Sequence, residues 1–169
     1  MHSKRRLGVA LLHLHQAVYD RSDGRVGHRL FGVRCLLVRS VGRRSGQRRT
    51  TALAYARDGP DYLVVGSLGG ADIGPAWVHN VRASPSVELQ VGRFRFPAAA
   101  HVVEQGDPGY ERLWALVNGE SGGRYARYQA RTARPIPVVV LTPPETRPNW
   151  CHQFAGGARG WPVPGSEDA

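Results

Sequence analysis

The chain has 169 residues and a hydrophobic content of 41%, enough for one domain with a buried core and too apolar for a disordered chain. Its 21 glycines and 12 prolines favour short strands and turns over a helical bundle. With 23 basic and 13 acidic residues the formal charge is +10, which calls for an anionic partner: nucleic acid, an acidic membrane surface, or a phosphorylated or carboxylated ligand.

In chain order, Leu7, Ala10, Leu11, Leu14 and Val18 share a helical face and predict an amphipathic helix over residues 6–19. Lys4, Arg5 and Arg6 at its start are the ingredients of an interfacial helix, so peripheral membrane contact stands beside the expectation that the stripe packs on its own domain. His13 and His15 interrupt the stretch, no small-x-small cleavage site follows, and it is too short to span a bilayer. A polar linker follows over residues 22–27. Apolar or alternating runs then predict strands over 35–38, 50–56 and 62–66, with Asp58-Gly59 as a hairpin turn. Pro75 suits the start of a short helix over 76–82. Val87, Leu89 and Val91 alternate with polar residues, and Phe94 and Phe96 continue the pattern beyond Gly92, which predicts a hairpin. Pro97 is expected to end or bulge its second strand. Residues 98–103 continue the sheet, helices follow over 110–117 and 124–131, and 138–141 is a last apolar strand. The expected organisation is an N-terminal helix and linker (1–28), a mainly β domain with flanking helices forming a closed or split barrel (29–143), and a flexible C-terminal tail (144–169).

Three stretches carry chemistry. Gly42-Arg43-Arg44-Ser45-Gly46-Gln47-Arg48-Arg49-Thr50-Thr51 joins two predicted strands, and five arginines without an acid lie between Arg39 and Arg49. Glycine lets the backbone approach a ligand, and guanidiniums, the Ser45 hydroxyl and backbone N–H groups suit phosphate or carboxylate oxygens. A solvated basic hairpin tip is the alternative. Gly66-Ser67-Leu68-Gly69-Gly70-Ala71 follows a strand and precedes Pro75, Trp77 and Asn80, so its Gly-Gly pair can cradle an anion while Trp77 supports a flat ring. Trp77 as a plain core residue is the alternative. Tyr125 and Tyr128 lie three apart on one helical face, where they line a pocket or pack as core.

The order and spacing of these stretches, with the ending Tyr128-Gln129…Ile136-Pro137-Val138-Val139-Val140, resemble the deazaflavin-dependent nitroreductase and quinone-reductase family of actinobacteria over residues 31–141. The resemblance implies an FMN-binding split-barrel-like fold that takes coenzyme F420 in its reduced form as hydride donor, with FMN as the secondary candidate. It implies that Arg43, Arg44, Ser45, Gly46, Arg49 and Thr50 hold the cofactor's phosphate and oligoglutamate tail. It places Ser67, Gly69, Gly70, Ala71, Trp77 and Asn80 around the ring-side portion, and Tyr125 and Tyr128, with Ser67, beside the acceptor as the catalytic groups. Leu68 stands where members often carry a lysine, and Gly122 where some carry a further tyrosine.

The expected function is therefore hydride transfer from reduced F420 to a small-molecule acceptor, a quinone, nitroaromatic or enone. A protein that binds or sequesters F420 without turnover is the alternative, and a basic nucleic-acid-binding barrel ranks behind it. Nucleic acid is not the expected partner, because the aromatics are not grouped as a stacking platform along one strand. No metal is expected: the histidines show no ligand spacing, and Cys35 and Cys151 form no CxxC. Two distant cysteines fit the cytoplasm, and the assembly is expected to be a monomer or homodimer.

Overall fold

The computed structural model describes residues 18–22, 29–30 and 33–144. The body of the first helix, its membrane contact, most of the linker and the C-terminal tail lie outside these residues. The strands are β1 (Arg29–Leu30), β2 (Val33–Val41), β3 (Arg48–Asp58), β4 (Asp61–Val65), β5 (Ser86–Val91), β6 (Phe94–Val103) and β7 (Val138–Thr142). The helices are α1 (Ala76–Ala83), α2 (Tyr110–Glu120) and α3 (Arg124–Gln129). Strand order is β1-β2-β3-β4-β7-β6-β5 with every pairing antiparallel, and β2 also pairs with β5. That last pairing, Leu37↔Gln90 to Arg39↔Glu88, closes β2 to β7 into a six-stranded barrel.

The period-two pattern explains the layers. Leu36, Val38, Val64, Val87, Leu89, Val139 and Leu141 fill the barrel, and Trp77, Val78 and Val81 of α1 join the same cluster. The interior is thus a packed core, and any cofactor must bind outside it. Intervening residues Ala56, Leu63, Val65 and Val138 face outward and are covered by Tyr110, Leu113 and Val117 of α2 and Tyr125 of α3. Central strands buried on both faces read as the continuous apolar runs seen in the sequence. On another part of the outer surface Tyr19 packs against Cys35 and Leu37, with Ala52 beside them.

Several element ends differ from expectation, β2 running Val33–Val41 against 35–38 and α2 reaching Glu120 against 117, and Pro97 behaves otherwise than expected. Pro97 neither ends nor bulges β6: the register runs unbroken from Val91↔Phe94 through Glu88↔Pro97 to Ser86↔Ala99. The reason lies across the strand, where β7 stops at Thr142 opposite Ala99. Pro97 therefore sits on a locally open edge, where the missing N–H breaks no ladder. The third helix ends at Gln129, two residues before the expected Arg131. The β3–β4 hairpin closes at Asp58↔Asp61 with Gly59 at φ +56°, a value that glycine adopts without a Cβ clash.

Candidate functional site

The β2–β3 connection is a tight basic loop. Gly42 donates its N–H to Gln47 O at 2.8 Å, and Gly46 donates to Gly42 O at 2.8 Å with φ +66°. Buried Asn80 of α1 reaches across and accepts the Arg43 N–H at 3.2 Å on Oδ1. The loop and α1 thereby form two walls of a groove of about 820 Å³. Arg43, Arg44, Ser45, Arg49, Thr50, Trp77 and Asn80, all singled out from sequence, line it together. Gly46 shapes the loop without lining the groove. Trp77 is 6% exposed and belongs to the core, the alternative the sequence offered, and it also lines the groove.

Charge in the groove is unevenly matched. Arg48 donates to Glu88 Oε2 at 2.9 Å. The guanidiniums of Arg43, Arg44, Arg49 and Arg21 form no hydrogen bond or ion pair with a described residue. Four unpaired guanidiniums around one concavity suit a polyanion, because planar N–H forks match phosphate and carboxylate oxygens. Arg21 lines the groove but escaped the sequence reading, and Thr51 and Ala76, which fall within or beside the stretches read, were given no role there. Arg21 lies in a helical stretch whose link to the loop is visible only in three dimensions.

The other predicted residues lie elsewhere. Ser67 is buried, and Leu68, Gly69 and Gly70 form a 3-10 turn in which Leu68 holds φ +43°. Among the described residues Leu68 is the one non-glycine at positive φ, at a cost of about 1 kcal/mol. Gly70 must be glycine twice over: its φ is +80°, and a Cβ would lie 2.5 Å from Tyr128 O. The turn is fastened by Arg134, whose guanidinium donates to the carbonyls of Gly66, Ser67 and Ala71 at 3.3 Å. Arg134 has no motif around it, so sequence inspection passed over it.

Ser67 to Ala71 and Tyr128 are thus brought together, apart from the basic groove. The Tyr125 and Tyr128 rings meet edge to face with centroids 6.2 Å apart. Tyr125 also lines a second cleft of about 210 Å³, with Arg34, Ala54, Tyr55, Glu120 and Arg124 among its walls. Burial pushes the Tyr125 hydroxyl above its ordinary value, against the opposing pull of Arg124, so it holds its proton at neutral pH. Groove and cleft share β3: Thr51 lines one and Tyr55 the other, a separation of about 13 Å at strand rise. Ala52, between them, lies beneath Tyr19.

Among the described residues no group of three His, Cys, Asp or Glu side chains could hold a metal ion, and no helix is long and apolar enough to cross a membrane.

Comparison with known proteins supports a single assignment. The model of the F420H(2)-dependent quinone reductase family matches residues 11–143. An F420H(2)-dependent quinone reductase of Mycobacterium tuberculosis is 51% identical over 140 residues, covering 82% of this chain and 94% of that protein. A solved structure of an F420-H2 dependent reductase is 32% identical with a TM-score of 0.57, covering 63% of this chain and 92% of that one. Another, described as a domain-swapped dimer, is also 32% identical with a TM-score of 0.56, over 63% of this chain and 78% of that one. A haem storage protein of Vibrio cholerae, 14% identical with a TM-score of 0.51 over 75% of this chain and 89% of that one, shares the fold alone. With the matched region spanning the barrel, the groove and both tyrosines, the chain belongs to the F420H(2)-dependent quinone reductase family.

Proposed function

We propose that the protein oxidises reduced coenzyme F420 with a quinone, and that the groove and the Tyr125 cleft divide the work. The carrying observation is the set of unpaired guanidiniums of Arg43 and Arg44, on a loop braced by Asn80, and Arg49, at the start of β3. They suit the phosphate and oligoglutamate tail, with Ser45 and Thr50 as further hydrogen-bonding groups and Gly46 closing the turn. Ser67, Gly69, Gly70 and Ala71 form the ring-side wall, with Trp77 supporting the ring edge.

When bound, reduced F420 supplies a hydride, which the quinone accepts together with a proton to become a quinol. The chain's own part is to position both molecules and to stabilise charge. Transfer builds negative charge on the quinone oxygen. The Tyr125 hydroxyl, kept protonated by burial, donates a hydrogen bond to that oxygen, and Tyr128 beside it orients the ring. Arg124 adds positive charge to the same cleft. Nitroaromatics and enones build the same oxyanion and are further acceptors to test. The similarity to a domain-swapped dimer makes a homodimer the assembly to look for by light scattering.

The test is a fluorescence titration with F420, followed by steady-state oxidation of F420H2 by a soluble quinone. Tight binding with quinone-dependent turnover is expected. Tight binding without turnover on any acceptor supports the sequestering alternative. Preference for FMN or haem, or salt-sensitive binding of nucleic acid without F420 binding, rejects the reading.

A further inference from the structure

The described helical residues 18–21 and the turn at Ser22 are tied firmly to the barrel. Tyr19 is 0% exposed, packed on Cys35 and Leu37. Its hydroxyl donates to Cys35 O at 3.1 Å, lies 3.4 Å from Gln90 O, and accepts the Gly92 N–H at 3.0 Å. The next residue, Asp20, accepts from Arg39 Nη2 at 2.5 Å. Arg39 is 8% exposed and is held in turn by Glu88 Oε1 at 3.0 Å and Gln90 Oε1 at 2.6 Å. Tyr19 therefore bridges β2 and β5 from outside, where the barrel closes, and Asp20 fastens the stretch to a buried charge.

What this clamp presents is the groove. Asp20 and Arg21 are both lining residues, and Arg21 is exposed with no described partner. We infer that Arg21 is a further anion-binding residue, and that Tyr19 with the Asp20–Arg39 pair is the positioning device that holds it opposite Arg43, Arg44 and Arg49. This rests on the groove being the site of the F420 tail. It implies that docking of residues 18–22 and occupancy of the groove stabilise each other, since an anion bound by Arg21 adds to the clamp's hold.

Asp20 gives the idea a test of sign. It is the sole acid among the groove's lining residues. Were it only a charge, Asp20→Asn would relieve repulsion and tighten binding of an anion. As an anchor, it weakens binding when neutralised, because Arg21 is released from its place. Glu88 and Gln90 continue to satisfy Arg39 in that variant, so the barrel keeps its buried charge paired.

The experiment titrates the full chain and its R21A, D20N and Y19F variants with F420, and follows hydrogen exchange of residues 18–22 with and without F420. R21A is expected to lose about tenfold in affinity with an unchanged melting temperature. D20N and Y19F are expected to weaken binding in the same direction, to raise KM for F420H2 while KM for the quinone stays put, and to speed exchange over residues 18–22. F420 is expected to slow that exchange in the wild type. Tight wild-type binding that R21A leaves unchanged, or that D20N strengthens, overturns the clamp and leaves the groove reading standing. Failure of the wild type to bind F420 overturns both. Circular dichroism identifies a variant that fails to fold, and R21A, at an exposed and unpartnered position, then decides alone.

Discussion

Removing Arg44 and Arg49 together separates a binding groove from a solvated basic hairpin. Both side chains are exposed, and neither guanidinium has a described partner. Their loss should therefore leave folding almost unchanged, within about 0.5 kcal/mol. Against a bound anion the account differs. A hydrogen bond to a charged group contributes roughly 1.5–3 kcal/mol. Both positions are open to solvent, so screening favours the low end, about 1.4 kcal/mol or tenfold in affinity for each. The double variant R44A/R49A should weaken F420 by about a hundredfold, less any coupling between neighbours around one groove. Arg48 supplies the internal control: it lines the same groove, yet its charge is already matched by Glu88 at 2.9 Å. R48A should cost under about threefold, since a cation already paired on the surface has less to offer a ligand. The assay is quenching of F420 fluorescence at two salt concentrations, with melting temperature measured in parallel. The difference between wild type and double variant should shrink at high salt. An unchanged affinity in a folded double variant, or equal losses in R48A and R49A, refutes the assignment of the groove.

Four further outcomes follow from the geometry. Tyr125→Phe should lower kcat with a quinone by about ten- to a hundredfold, as expected for a lost donor to a developing oxyanion, and Tyr128→Phe, which keeps the ring, by less, while F420 affinity stays within twofold of wild type in both, about 0.4 kcal/mol; normal kcat in Tyr125→Phe reduces that tyrosine to a pocket wall. Because burial raises the Tyr125 hydroxyl, the pH profile of kcat should show no limb from its deprotonation below the ordinary phenol value of about 10. Gly70→Ala brings a Cβ within 2.5 Å of Tyr128 O at φ +80°, so it should cost about 2–4 kcal/mol, read from chemical denaturation. Gly59→Ala, with positive φ but open space, should cost only about 1 kcal/mol, and equal losses would remove the claimed contact. Arg112 donates to both Asp58 oxygens, at 3.0 and 2.6 Å, and holds that carboxyl below its usual range. A folded-state value below the unfolded one means a contribution fully present above about pH 4 and lost as pH falls through the lowered value. The melting-temperature gap between wild type and Asp58→Asn should close over that acidic window; a gap that stays constant removes the linkage.

The barrel was legible because its strands obey simple periods. Val87 and Leu89 alternate with Glu88 and Gln90, and the strands buried on both faces appear as unbroken apolar runs at Cys35 to Val38 and Val138 to Leu141. Pro97 was misread because a proline's effect depends on what lies across its missing N–H, and the length of β7 is not a local property. The basic groove was legible as a cluster of arginines, but Arg21 beside it was not, nor was Arg134 behind the separate Ser67–Ala71 turn. Arg21 precedes the loop by two strands, and Arg134 binds carbonyls some sixty residues upstream. Neither has a neighbourhood in sequence that marks it, because backbone carbonyls carry no side-chain signature. Gly70 shows the reverse. The sequence offers it as an anion cradle, whereas the structure gives it a steric reason to be glycine through Tyr128 O.

The formal charge of +10 does not by itself choose among ligand classes, and the placement of the arginines is what narrows the choice. Arg39, Arg48, Arg82 and Arg112 are paired with carboxylates, Arg57 lies 3.9 Å over the Tyr62 ring, and Arg134 is bound to carbonyls. These cations are matched inside the protein and contribute little field to a ligand. A nucleic-acid surface calls for unpaired cations spread along a track with aromatics for stacking. Here Arg21, Arg43, Arg44 and Arg49 are gathered around one groove bounded by the Trp77 edge. Such a site suits the compact polyanion joined to a flat ring that is proposed for it. The same argument limits where substitutions will matter: replacing a matched arginine should alter stability before affinity, and replacing an unmatched one should do the reverse.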